Sequence, residues 1–151
     1  MITVLQRVER ARVVVEDAVI GEIGLGALLL IGVEVGDGDA DADATASKIA
    51  KLRFFPGATP MDRTLLEVGG GCLVVSQFTL AATLAKGNRP SFTAAAPPAL
   101  GEQLYLRVAD GLAAAGIPCA FGQFGAHMHV ELTNDGPVTF ILRARAGRIE
   151  G

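Results

Sequence analysis

Three short stretches of the chain hold side chains that could do chemistry. The first is Ser76-Gln77-Phe78-Thr79, which follows Cys72-Leu73-Val74-Val75. A buried apolar run ending in three polar side chains reads as a strand running out into a site, and strand ends are where α/β proteins place functional groups. Ser76 carries a hydroxyl for nucleophilic attack, but no GxSxG elbow surrounds it and only His127 and His129 could serve as imidazole bases. Taken by itself, Ser76 is a hydrogen-bonded strand hydroxyl. The strand end offers its backbone as well, because N–H groups released there can hold an oxyanion. The second stretch is His127-x-His129. Alternate strand residues put both imidazoles on one face, and Glu131 extends the row. Zinc sites usually draw three or four ligands and the chain has only two histidines, so this reads as a solvent-facing polar stripe and no metal is expected. The third stretch is Asn134-Asp135-Gly136-Pro137. Pro137 has no N–H to give a ladder, and Gly-Pro is a short rigid unit whose carbonyl direction is well fixed. On residue types alone it is equally a hairpin connector and a recognition tip. Gly21-Glu22-Ile23-Gly24-Leu25-Gly26 lacks GxGxxG spacing and no GxxxxGK[ST] occurs, so no dinucleotide or triphosphate cradle is present.

The elements that must position these stretches follow from the apolar pattern. Residues 2–35 read as β-structure, with β-branched Val13, Val14 and Val15. Within them, residues 27–35 form a continuous apolar run suited to a strand covered on both faces. The aspartates of 36–43 form a polar loop available to cap a helix over about 44–53, whose last turn holds Lys48, Lys51 and Arg53. Pro56-Gly57 breaks the chain, Gly69-Gly70-Gly71 turns it, and residues 72–79 are the second apolar strand. Residues 83–98 are loop-like. Leu100, Leu104, Val108 and Leu112 repeat every four residues, giving a helix that Gly116-Ile117-Pro118 ends. Further on, Met128, Val130 and Leu132 alternate with His127, His129, Glu131 and Thr133, then comes a turn at 134–137 and a last strand at 138–142. Residues 143–151 read as a loose basic tail. The expected fold is mixed α/β (α+β): one domain over 1–145 with two main helices, followed by a short tail at 146–151.

A chain of 151 residues that is 50% hydrophobic, with a net charge of −3, is globular rather than disordered. Its longest nearly unbroken apolar stretch, residues 24–33, falls short of the roughly 20 needed to span a membrane. The N-terminus has no secretory pattern and Cys72 and Cys119 form no CxxC, so free thiols and a cytoplasmic location are expected. The total charge argues against a tight, indiscriminate nucleic-acid binder. Five carboxylates, however, fall at Glu34, Asp37, Asp39, Asp41 and Asp43. Outside them the chain is net +2, and Arg7, Lys86, Arg89 and the arginines of 143–148 remain available for phosphates.

Six blocks stand in order: residues 1–8, Gly21-Glu22-Ile23-Gly24, residues 74–80, Arg89-Pro90-Ser91-Phe92, residues 124–128 and residues 134–139. In these blocks the chain resembles the bacterial-type D-aminoacyl-tRNA deacylases over nearly its whole length. The resemblance implies a compact subunit with a mixed, partly barrel-like sheet, working as a homodimer without metal or organic cofactor. The implied reaction is hydrolysis of the ester between a D-amino acid and the terminal adenosine of tRNA, with no membrane partner. Ser76, Gln77, Phe78 and Thr79 would line the catalytic site. Thr79 is one proposed nucleophile; the other scheme uses backbone amides around Phe78 and Thr79, with the tRNA 2′-hydroxyl assisting water. The second is preferred because no base is visible near Thr79. Phe124, Gly125, Ala126 and Met128 would shape the pocket. Gly136-Pro137, cis in the family and supported by Arg7, would enter the partner's active site and reject L side chains sterically. Glycine escapes such a filter, which extends the implied substrates to glycyl-tRNA mischarged on tRNA-Ala. His127 and His129 occupy variable positions of their block, and residues 143–151 extend past the usual end. Two rival readings are an animal-type deacylase that removes L-alanine and a non-catalytic tRNA- or amino-acid-binding module.

Overall fold

The apolar first half resolves into three strands in the computed structural model, which describes residues 1–151. They are β1 (Ile2–Val15), β2 (Ala18–Ile23) and β3 (Gly26–Gly32). Glu16 and Asp17 join β1 to β2 with positive φ at both residues, the twist a two-residue hairpin favours. The chain continues through α1 (Asp39–Lys51), a single-turn α2 (Leu65–Val68), β4 (Gly71–Ser76), a 3-10 turn (Phe78–Ala81), α3 (Pro98–Ala114), β5 (Cys119–Phe121), β6 (His129–Arg145) and β7 (Arg148–Ile149). The sheet order is β5-β4-β3-β1-β6-β7, with β2 pairing β1 off that path. β3, β4 and β5 run parallel, while β1, β2 and β6 are antiparallel.

Helices α1 and α3 cover one face of the sheet over a core that includes Leu5, Leu29, Ile31, Phe54, Val74, Leu104 and Leu112. A smaller cluster of Val8, Ala11, Val13, Leu28, Leu73 and Val75 fills the opposite face. Strand β3 is buried on both sides, as its unbroken apolar run predicts. The sheet curls until β2 meets β5. A Cβ on Gly21 would lie 2.0 Å from the Phe121 carbonyl oxygen, so this approach requires glycine. The expected mixed α/β architecture with a partly barrel-like sheet is therefore present.

Several boundaries differ from the sequence reading. Helix α1 begins at Asp39, five residues before the expected start. Asp41 lies inside it, where one carboxylate oxygen accepts from Gly38 N at 2.9 Å and the other from Gly147 N at 2.9 Å. The acidic stretch is not a free loop, since Glu34 and Asp37 take the Met1 amine while Asp39 and Asp43 take Arg107. The short α2 was not anticipated; a reciprocal cap between Thr64 and Glu67 starts it. The Asn134–Pro137 turn between two strands is instead part of one long strand, β6. Nor do residues 143–151 hang loose: β6 continues to Arg145, turns at Ala146-Gly147, and pairs with β7. Strand pairing and the Asp41 contact decide this, and both partners are distant in sequence.

Candidate active site

The elements converge where β4 ends. Ser76 is its last residue, and Gln77 N donates to the Ile31 carbonyl at 2.8 Å, the final bond that fastens this strand to β3. The chain then tightens into the 3-10 turn, where Leu80 N reaches Gln77 O and Ala82 N reaches Thr79 O. The first N–H groups of such a turn have no partner within it. Phe78 N and Thr79 N accordingly donate to no acceptor among the turn and loop bonds. Two amides are thus left free at the end of a buried strand.

A cavity of about 460 Å³ opens beside them. Ser76, Gln77 and Phe78 form one wall, and Phe124, Gly125, Ala126 and Met128 form another. Two segments about 50 residues apart in sequence, both singled out from residue types and resemblance, therefore share one cleft. Thr79 is exposed and sits just beyond the lining, where its hydroxyl accepts a short hydrogen bond from Gln77 Nε2. No carboxylate lines the cleft.

Each wall has a physical support. Phe124 stacks on Tyr105 of α3 with ring centroids 5.9 Å apart, and its ring edge lies over Gly101, where an added Cβ would touch it at 3.9 Å. Gly125 has φ +74°, the left-handed turn that lets the wall double back. Met128 packs over Gly122, where an added Cβ would lie 2.7 Å from its sulfur, and that sulfur accepts from Gln123 N. The wall also includes Val33, Ala96, Pro98, Gly101, His127 and Val130, which sequence reasoning did not select. Only the Pro97-Pro98 helix start marks part of that group in sequence. His127 is exposed, as a polar stripe predicts, but it also borders the cleft; its ring lies 5.1 Å from that of His129. Glu131 turns to Arg12 instead.

Burial pushes the Cys72 thiol far up, and it pushes the Cys119 thiol up to about 11. Both are free and protonated near neutral pH, so neither is a ready nucleophile.

Gly136 and Pro137 do not line this cleft. They sit on β6 where its pairing with β1 skips: Gln6 faces Thr139 and Val8 faces Asn134, so four residues of β6 stand opposite Arg7 alone. The segment bulges outward, both residues are exposed, and the peptide bond between them is cis. Arg7 lies beneath, 8% exposed, with Nη1 donating to the Phe54 carbonyl at 2.8 Å and Nε 2.9 Å from the Asp135 carboxylate. The second contact is an ion pair whose N–H is not aligned for a hydrogen bond.

The fold is mixed α/β, and its cleft opens at the end of a buried strand, lined by Ser76–Phe78 and Phe124–Met128 with no carboxylate. Residues 4–143 match the family model described as D-Tyr-tRNA(Tyr) deacylase. A D-aminoacyl-tRNA deacylase from Cereibacter sphaeroides (strain ATCC 17029 / ATH 2.4.9) is 55% identical over 95% of this chain and 100% of its own. One from Deinococcus radiodurans is 50% identical over 94% and 99%. A solved structure named c-Myc DNA Unwinding Element Binding Protein superposes with a TM-score of 0.89 at 34% identity, covering 97% of this chain and all of that one. The chain belongs to the D-Tyr-tRNA(Tyr) deacylase family.

Proposed function

We propose that the chain hydrolyses the ester joining a D-amino acid to the 3′-terminal adenosine of tRNA, acting in the cytoplasm where charged tRNA circulates. The observation that carries this reading is the pair of unpartnered amides, Phe78 N and Thr79 N, at the mouth of the cleft. They are suited to hold the carbonyl oxygen as negative charge develops on it. Water adds to the carbonyl carbon, the bond to the ribose oxygen breaks, and that oxygen takes up the proton. The substrate's 2′-hydroxyl assists the water. The Thr79 hydroxyl is hydrogen-bonded by the Gln77 side-chain amide, which is no base, and this favours the amide scheme over a Thr79 nucleophile.

Chiral choice is assigned to Gly136-Pro137 of a second copy, entering the cleft with its carbonyls facing the substrate. The bulge supports this: it is exposed and held from below by Arg7, but does not reach its own cleft. An L side chain then meets carbonyls, a D side chain points away, and glycine passes. Glycyl-tRNA mischarged on tRNA-Ala is therefore also a substrate.

Single-turnover deacylation of D-Tyr-tRNA, L-Tyr-tRNA and glycyl-tRNA tests each part. Fast release from the first and third, with the L-ester spared, is the expected result; equal release of D- and L-Tyr would sink the chiral assignment. Replacing Gly136-Pro137 with Ala-Ala should relax selectivity, and retained selectivity would remove the motif from that role. Loss of turnover in folded, tRNA-binding Thr79→Ala would overturn the amide scheme. The 34% identical structure is named as a DNA-binding protein, which favours keeping one second reading, a non-catalytic nucleic-acid-binding module. It predicts tRNA binding with no turnover in the same assay.

A further inference from the structure

The cleft takes only the end of a large substrate, so something outside it must hold the rest. Residues 69–101 supply one whole wall of the cleft and contain no carboxylate, while they hold two cations, Lys86 and Arg89. In a chain of net charge −3, this stretch is +2. Four of the other cations are held by carboxylates, and the remaining unpaired ones lie outside this stretch. Arg7 is buried against Phe54 and Asp135, Arg12 pairs with Glu131, Arg107 with Asp39 and Asp43, and Arg145 with Glu34 and Glu150. Lys86 and Arg89 are exposed and take part in no ion pair. Glu34, which bridges to Ala95 on the far side of the loop, is neutralised by the Met1 amine at 3.0 Å.

The loop that carries them is anchored at the cleft. Thr83 and Ser91 pair across it, with Thr83 N to Ser91 O at 2.8 Å and Ser91 N to Thr83 O at 3.1 Å. Lys86 and Arg89 lie within three residues of that bridge, so their backbones stand within about 10 Å of it. The next residue after the bridge, Phe92, meets Phe78 edge to face with ring centroids 5.3 Å apart. Phe78 is 56% exposed and Phe92 41%, large values for apolar rings, and Phe78 itself lines the cleft. An open aromatic pair beside two free cations suits alternating bases and phosphates of a single strand.

We infer that the loop of residues 83–91 is a clamp for the phosphates just upstream of the esterified nucleotide, with Phe78 and Phe92 as the stacking platform for the last bases. This rests on the proposed function and adds positioning residues to it. A duplex cannot follow the rings into a cleft of about 460 Å³; a splayed 3′ end can.

The test compares the parent chain with K86Q/R89Q and with K86R/R89K on two substrates, D-Tyr-tRNA and the 3′-D-tyrosyl ester of adenosine, between 50 and 200 mM salt. The neutral pair should raise KM for D-Tyr-tRNA about tenfold at low salt with kcat little changed, and flatten the salt dependence of kcat/KM by about 1.4 log units per decade for two lost single-strand phosphate contacts. The charge-conserving pair should restore both, and KM for the adenosine ester, which has no such phosphates, should stay with the parent. An unmoved KM and salt slope on D-Tyr-tRNA would overturn the clamp while leaving the proposed function standing. Equal loss on both substrates would also overturn it, as a structural effect. Absence of hydrolysis by the parent chain would overturn the proposed function and the clamp together.

Discussion

The parallel half of the sheet and its antiparallel half handle their side chains in opposite ways. Strands β3, β4 and β5 are closed in by α1 and α3 on one side and by the second apolar cluster on the other, and the cleft opens at their end. Strand β6, in the antiparallel half, leaves Leu132, Phe140 and Ile141 partly or largely exposed and bulges at Gly136-Pro137. The covered half can hold two backbone amides in one place because their turn is tied to β3 through Gln77 and rooted by the buried Ala81. The open half can carry three extra residues in its bulge because their outward side has no neighbour to displace. Precision and reach are thus built into different halves, and Arg7 on β1 links them by binding Phe54 on one side and Asp135 on the other.

This contrast predicts unequal tolerance to change. The largest effect is expected at Gly26→Ala, where a Cβ would lie 1.9 Å from the Gly71 carbonyl oxygen. Backbone against backbone has no rotamer to yield, so β3 and β4 must part and stability should fall by at least ~3 kcal/mol. Two positions away, Gly24→Ala meets nothing within 4 Å and should change stability by less than ~0.5 kcal/mol. Urea midpoints of the two variants make the comparison, and equal losses would break it.

Next is the link between the halves. Arg7→Ala leaves the Phe54 carbonyl and Asp135 without their partner, and a loss of about 1–3 kcal/mol is expected, since Asp135 is partly open to solvent. Arg7→Lys should recover only part of it, because one ammonium cannot span both partners. If the bulge depends on this support, D-over-L discrimination falls in the same variants.

Asp41 ties α1 to the β6–β7 turn and gives a pH signature. Burial pushes its carboxyl up, but the Gly147 and Gly38 amides outweigh that and, with help from the Met1 amine and Arg145, hold it below the usual carboxylate range. The unfolded chain therefore takes up the proton first. The stabilisation is complete above the unfolded value of about 3.9 and is lost as pH falls through the lower folded value. Asp41→Asn should cost about 1–3 kcal/mol near neutral pH, and its deficit against the parent should shrink below about pH 4. A deficit independent of pH would show that charge is not the cause.

Among the substitutions that disturb a contact, the smallest effect lies in the cleft wall. At Gly122→Ala the new methyl meets the Met128 sulfur at 2.7 Å, but a thioether can swing aside, so about 1 kcal/mol is expected. The displaced Met128 narrows the cleft, and kcat/KM for bulky D-aminoacyl esters should fall more than for the glycyl ester.

Much of this was legible in the residues. The unbroken apolar run of β3, the four-residue repeat of α3 and the polar ending of β4 are local patterns, and each marks its element directly. The early start of α1 was not, because Asp41 is fixed partly by Gly147, over a hundred residues away. The order of the tail is not legible locally for the same reason, since it comes from pairing with β6. Val33, Ala96 and Val130 look like ordinary apolar residues in sequence, and nothing local distinguishes a core wall from a cleft wall.

The sequence by itself determined the alternation that makes strands, the repeat that makes helices, and the residues of Ser76–Thr79 and Phe124–Met128 as one family's motifs. Only the tertiary structure decided that these two segments share a cleft and that Gly136-Pro137 stands outside it. It also decided that Lys86 and Arg89 are free while Arg7 is buried. Propensity and periodicity act over a few bonds and can be read in order along the chain. Proximity, burial and the pairing of charges arise from contacts between segments distant in sequence, which exist only once the sheet has closed.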